Sequence, residues 1–371
     1  MNNFNNYHKI IFFILSSILI LILIYGGSRH DYNLYTLTWE SFINNEKEIP
    51  YNSYGPVHLI LSLIYKFHFL APKILFGLSF ILVNYYIFNK ILKKNNSILL
   101  IYFYITIPCN FLIISYVFFY GINDSLVSFF FIISIMLFLN QRFILSSVFI
   151  SLATLLKIYP ILFFPQFLFI NKKESIKIFL TTLFFITIFL FLFSVLYDFR
   201  LLLEPISFGS NRDPKFASII SSLNYSFPEN TTVEFLKKYN TYFIIISVVI
   251  VHIFTLLKKT DFFYSIILVY MVILITYKVG SPHFYIPLMV ILSFLLTLDE
   301  KYLIIFKILL PLIFLLSLTV FGYSLTAGYD LMKVSDFPWF KVRENIGYVF
   351  FVTNLYVLIK MIFIFKKFIN N

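Results

Sequence analysis

Only one cysteine, Cys109, occurs in the 371 residues, which excludes an intramolecular disulfide framework. It stands in an apolar run, where a packed thiol behaves as a small hydrophobe. Charge is scarce as well: Asp, Glu, Lys and Arg make up 12% of the chain, against 60% hydrophobic residues. None of the 17 carboxylates falls in the middle of an apolar run. Ion-coupled transporters and proton pumps keep ionisable groups near the bilayer midplane, so this absence counts against transport. No internal repeat or inverted pair of halves is visible. There is no P-loop, no Gly-rich dinucleotide fingerprint and no H-E-x-x-H helix. No His, Cys and acid set has metal-ligand spacing, so no metal and no cofactor is predicted. The longest polar segments, 27–73 and 197–239, are too short to build much core alone, and no soluble domain is expected.

What is abundant is apolar length. Runs of about 17–25 residues recur, the length that crosses ~30 Å of hydrocarbon. The polar/apolar alternation of an outer-membrane barrel is absent. The chain therefore reads as an all-α, polytopic membrane protein, a single integral-membrane domain over 1–371. Spans are expected near 8–26, 74–92, 97–118, 124–140, 143–156, 158–170, 176–196, 240–257, 261–277, 284–298, 302–322 and 346–366, about 11–12 transmembrane helices. The first run begins after His8-Lys9 and lacks a small-x-small cleavage site, so it is read as a retained anchor. The formal net charge of +12 invites a nucleic-acid reading, but the excess sits in short loops between spans. "KK" at 93–94, "QR" at 141–142, "NKKES" at 171–175 and "KK" at 258–259 are basic, as is the tail. Placing them in the cytoplasm, with the N-terminus, puts fifteen Lys/Arg and four acids inside. Fourteen Lys/Arg and thirteen acids then lie outside, on longer loops. Membrane lipids, not nucleic acid, are the implied surroundings.

Two stretches resist a simple span. "PVHLILSLIYKFHFL", 56–70, is bounded by Pro56 and Pro72 and is too short and interrupted to cross. It is read as an interfacial helix on the outer leaflet, with His58, Lys66 and His68 toward headgroups. The run 143–170 is too long for one span and breaks at "KIYP", where Pro160 cannot continue a helix without losing a hydrogen bond; two short helices meeting at the outer face fit best, with a single kinked, tilted helix as the alternative. Trp39, Tyr51 and Tyr54 fit interface-belt aromatics.

By this threading the polar groups outside the basic loops converge on one face. Asp31 follows the first span and Asn123-Asp124 precede the fourth. Lys157 and Tyr159 sit at the break, Arg212 and Asp213 in a long loop, and Lys278 and His283 beside "VGSP". One-sided clustering suits an enzyme whose substrates carry polar heads on lipid tails. An Asp at headgroup depth can take a proton from a hydroxyl while apolar surroundings limit competing water. The bland readings are that Asp31 is a helix-end acid in water and that Asp124 caps a helix.

Three segments, in order, carry a resemblance. "DYNLY" leads into "YNSYGP" and an amphipathic run. "GINDSLVSFFFIISIMLFL" precedes "LLKIYPILFFPQFLF", and "ITYKVGSPHFYIPLM" follows late in the chain. Together they resemble lipid-linked-sugar glycosyltransferases of the GT-C superfamily, in particular bacterial polyprenyl-phosphate-mannose mannosyltransferases and GPI mannosyltransferase I. Arg29 and His30 stand where the GPI enzyme pattern has a further acid, so the single-Asp bacterial type is the better match.

The resemblance implies a GT-C-like fold with an interfacial helix in the first outer loop. It implies a catalytic-type module over 1–196, followed by variable helices and loops over 197–371. It also implies inverting transfer of a hexose, mannose favoured, from a polyprenyl-phosphate sugar to a hydroxyl on a glycolipid or lipid-linked glycan. Asp31 is then the catalytic base. His283, Lys278, Arg212 and Lys157 are candidates for the donor phosphate, where negative charge develops as the bond breaks. Asn123, Asp124, Tyr35 and Tyr159 are candidates for sugar and acceptor. A nucleotide-sugar donor would call for a soluble catalytic domain, which independently favours a lipid-borne donor. The expected setting is a bacterial inner membrane with the site extracytoplasmic. The alternatives weighed are a polysaccharide polymerase or ligase, which would carry a late outer loop rich in Arg and His, and a lipid or solute transporter.

Overall fold

Apolar runs with few breakers become helices, and in the computed structural model the chain is almost entirely helical. The structure describes residues 2–28, 31–46, 49–50, 52–167, 172–197, 199–202, 204–205, 212–323 and 345–369. Among them, six helices are long and apolar enough to cross a membrane, or up to seven if a pair bent by 101° counts as one span. The multi-pass all-α architecture is thus the one the sequence implies. Arg29, His30 and Tyr51 lie outside the described residues.

The first of two compact units comprises residues 1–161, 176–209 and 289–299. It opens with α1 (Asn2–Tyr25) and α2 (Asp31–Ile43), so the acid expected in a loop instead begins a helix. The stretch 56–70 forms two short helices, α3 (Pro56–Ile60) and α4 (Ser62–Tyr65), followed by α5 (Ala71–Lys93). The span expected over 97–118 is not continuous. α6 (Ser97–Thr106) stops before Pro108, which lacks the amide needed to extend it, and a π-helical segment, Ile113–Phe119, follows. Cys109 is exposed on the turn between them, not packed as expected.

α7 (Asp124–Leu139) and α8 (Phe143–Leu156) form a tight antiparallel pair. Ser134 and Ser146 seal it by reciprocal hydrogen bonds, each hydroxyl donating to the other's carbonyl at 2.9 Å. Small hydroxyl residues serve this purpose where lipid leaves no hydrophobic drive for helix association. Beyond Lys157 the chain turns through a 3₁₀ segment, Tyr159–Phe163, into the short α9 (Phe164–Phe167), so in the described part of the span expected at 158–170 short turns around Pro160 stand in place of one helix. Along α10 (Lys172–Leu196), the Ile178 and Thr182 carbonyls accept from Ser147 and Ser151 at 3.3 Å.

The second unit comprises 162–175, 210–288 and 300–371. A two-residue parallel ladder pairs β1 (Lys215–Phe216) with β2 (Val279–Gly280). Two short helices, α11 (Ile219–Ser226) and α12 (Thr231–Lys238), precede α13 (Asn240–Leu257) and α14 (Phe262–Thr276). A 3₁₀ turn, Pro282–Tyr285, leads into α15 (Ile286–Leu295), and α16 (Leu303–Tyr323) and α17 (Ile346–Ile364) complete the helices. Asp261 caps α14 by accepting from Phe263 and Tyr264 N–H groups, and it also takes the Tyr302 hydroxyl at 2.7 Å and Lys301 at 3.2 Å.

In the first unit one close approach joins the polar segment 52–55 to the end of α8. Gly55 N–H donates to Leu156 O at 3.2 Å, and a Cβ on Gly55 would lie 2.0 Å from Leu155 O. Gly55→Ala should therefore destabilise the folded protein by about 1–3 kcal/mol. Thermal unfolding in detergent reads this directly, and an unchanged midpoint would refute the close packing.

Candidate active site

The end of α8 and the start of α7 carry opposite charges. Lys157 Nζ meets Asp124 Oδ2 at 2.7 Å, with the Asp124 side chain fully buried and that of Lys157 11% exposed. Asp124 begins a helix and Lys157 ends one, so each charge lies where the helix dipole favours it. The Lys157 ammonium also stands 5.3 Å from the centre of the Tyr54 ring, a cation–π distance. Lys157, expected to serve a lipid phosphate, thus has an acid of its own chain as partner.

Tyr35 reaches the same place from α2. Its hydroxyl lies 3.2 Å from Tyr54 OH and 3.4 Å from Asn123 Oδ1. Burial pushes the Tyr35 phenol well above its ordinary pKa, and Tyr54 and Asp31 add to the effect. Asn123 turns its amide nitrogen to His58 Nδ1 at 3.3 Å. An amide nitrogen only donates, so Nδ1 accepts and the imidazole proton sits on Nε2, which has no hydrogen-bond partner among the described residues. His58 is fully buried among Tyr35, Tyr54 and Trp39. It does not point to headgroups as expected, because the turn at Gly55 and Pro56 swings α3 inward onto α8. Burial, and then the Lys157 charge, pull His58 down to about 3. Trp39 is likewise core and no belt residue: it is fully buried and its Nε1–H donates to His58 O at 2.8 Å.

Asp31 opens α2 beside this network, within electrostatic range of Tyr35 and Asp124. Tyr159 is half-buried and turns its hydroxyl toward Asp124. The first unit therefore gathers Asp31, Tyr35, Asn123, Asp124, Lys157 and Tyr159. To these it adds His58 and Tyr54, which were not expected at the site, while Lys73 of the same unit donates from Nζ to Gly27 O at 2.9 Å and Phe119 O at 2.6 Å. For Lys73 a signal existed, since a cation in the first turn of a helix works against the dipole. His58 gave none.

Arg212, Lys278 and His283 belong to the second unit. Lys278 is 5% exposed, and its carbonyl accepts from Lys215 N–H at 3.2 Å beside the β1–β2 ladder. Asn240 Oδ1 holds its backbone N–H at 3.0 Å. Burial lowers the Lys278 pKa, with Asp213 opposing. Arg212 lies within electrostatic range of Tyr277. His283, 4% exposed, sits on the 3₁₀ turn with its ring edge-on to Phe284 at 4.5 Å. Among the described residues no group of three or more His, Cys, Asp or Glu is placed to hold a metal ion.

Residues 54–211 match the model of glycosyltransferase family 87. The match covers less than half of the chain, and no curated protein matches it. The family 87 stretch takes in His58, Lys73, Asn123, Asp124, Lys157 and Tyr159; Asp31 and Tyr35 precede it, and Arg212 follows it. With the six long apolar helices, it supports a membrane glycosyltransferase acting on a sugar donor and an acceptor.

Removing Lys157 strands a buried carboxylate. Lys157→Met should cost about 3–5 kcal/mol, and adding Asp124→Asn should restore much of it. Equal unfolding midpoints for wild type and Lys157→Met would dismiss the pair as structural glue. His58 titrates near 6.5 when unfolded but stays neutral when folded down to about 3. Between those values the unfolded chain binds more protons, so His58 removes stability as pH falls from 6.5 toward 3. His58→Asn should flatten that part of the unfolding-temperature profile; an identical slope would mean the imidazole is accessible to protons.

Proposed function

We propose that this protein transfers a hexose, mannose favoured, from a polyprenyl-phosphate sugar to a hydroxyl of a glycolipid or lipid-linked glycan. The reaction takes place at the extracytoplasmic face of a bacterial inner membrane. The observation that carries the reading is the company of Asp31. Its carboxylate lies within electrostatic range of Tyr35 and Asp124, which belong to a buried polar network with Asn123 and Lys157 in a chain otherwise dominated by apolar side chains.

In this reading Asp31 takes the acceptor proton as the hydroxyl oxygen attacks the anomeric carbon, with inversion. The bond to the lipid phosphate breaks, and the phosphate leaves as an anion. Asp124 cannot share the base role easily, because Lys157 already holds its charge. Asn123, Tyr35 and Tyr159 offer hydrogen bonds of both polarities to sugar hydroxyls. The resemblance alone assigns Arg212, Lys278 and His283 to the leaving phosphate. A cation placed where charge develops lowers the barrier more than it tightens ground-state binding.

Purified protein should transfer mannose from a synthetic polyprenyl-phosphate mannose to a hydroxyl acceptor. Asp31→Asn should lower kcat by about 10²–10⁴-fold while leaving thermal unfolding unchanged. His283→Ala should act chiefly on donor kinetics. Full activity in Asp31→Asn would remove this residue as the base.

A further inference from the structure

Lys73 stands where a cation is electrostatically disfavoured, and no step above uses it. It occupies the first turn of α5, at the positive end of the helix dipole, yet it is fully buried. Its Nζ donates to Phe119 O at 2.6 Å and to Gly27 O at 2.9 Å. Its backbone N–H donates to the Tyr32 hydroxyl at 3.3 Å, and that hydroxyl donates to Phe69 O at 2.6 Å. The surrounding chain leaves room for this side chain and little else. A Cβ on Gly26 would lie 2.4 Å from Phe119 O and 2.9 Å from Lys73 Nζ. A Cβ on Gly121, where φ is +69°, would lie 2.5 Å from Lys73 Cγ.

The ammonium therefore sits where the chain leaving α1 runs beside the chain leading into α7. From Gly27 the backbone continues to Asp31, and from Phe119 to Asn123 and Asp124. Hydrogen bonds from a charged donor are stronger than neutral ones, and a buried ammonium stripped of its acceptors is costly. Both carbonyls are thus held firmly to a single nitrogen atom.

We propose that Lys73 is a positioning residue for sugar transfer, fixing the segment that carries Asp31 against the segment that carries Asn123 and Asp124. This rests on the reading of Asp31 as the base. Lys73 touches no reacting atom; it sets the register of those that do. Methionine fills the space of its stem without donating, and arginine keeps the charge with a different reach.

The test compares wild type, Lys73→Met and Lys73→Arg in detergent by backbone hydrogen–deuterium exchange and by transfer from polyprenyl-phosphate mannose. In Lys73→Met, exchange next to Gly27 and next to Phe119 should rise at least about tenfold, with the remaining helices unaltered. Its kcat should fall about 100-fold, the scale of a 1 Å misplacement, with donor KM within about twofold of wild type. Lys73→Arg should recover part of both losses. Unchanged exchange at both segments would overturn the proposal, as would wild-type kcat in Lys73→Met. If Lys73→Met does not fold, Gly121→Ala displaces the same stem with the charge retained, and the same paired rise in exchange is expected; its absence overturns the proposal. If wild type itself transfers no sugar, the proposed reaction fails, while exchange still decides whether Lys73 holds the two segments.

Discussion

In an apolar helical bundle each buried charge must find its partner within the chain, and the Lys157–Asp124 pair is the contact on which the first unit's polar network depends. It closes the ends of α7 and α8, whose lengths are already joined through Ser134 and Ser146. Both charges lie at helix ends whose dipoles suit them, which offsets part of the cost of taking them from water. Tyr54 covers the ammonium, and the Tyr35 hydroxyl in turn lies within hydrogen-bond distance of Tyr54 OH and Asn123 Oδ1. Asn123 passes the order on to His58, whose neutral tautomer follows from the amide it faces. In the proposed reaction, an acid at the start of a helix and within reach of such a fixed network acts on its substrate without large rearrangement.

Two tight places let the network form. At Gly55 the polar segment 52–55 lies directly against the carbonyl end of α8, bringing Tyr54 over Lys157. At Gly121 the left-handed backbone bends the chain around the Lys73 stem before α7 begins. A side chain is costly at both positions, for different reasons: at the first a Cβ would meet backbone, at the second it would displace the Lys73 stem and strain a left-handed backbone. The second unit uses a different device. There two β residues on each side, and the Asn240 amide, set the backbone of Lys278, so a nearly buried cation is fixed by its main chain.

Much of the fold was legible because its signal is physical length. α1, α5, α10, α13, α16 and α17 lie where long apolar runs predicted spans. The runs at 97–118 and 158–170 misled, since total hydrophobicity hides what Pro108 and Pro160 do to a helix. The candidate site was legible in part. Asp31, Asn123, Asp124 and Lys157 stood out as polar residues flanking apolar runs, where a charge needs a reason. His58 and Trp39 looked like headgroup residues, because an aromatic or His beside an apolar run reads alike whether it faces lipid headgroups or a core.

By itself the sequence determined that this chain is a helical, multi-pass membrane protein, and which few polar residues break its apolar runs. Periodicity, length and charge are properties of consecutive residues, and they survive without knowledge of packing. Only the tertiary structure decided that Asp124 belongs to Lys157, that His58 serves Asn123, and that Lys73 joins the turn after α1 to the loop before α7. Those contacts link residues 33, 65 and 46 positions apart. At such separations, who meets whom is set by how the helices pack and where two glycines let backbones approach.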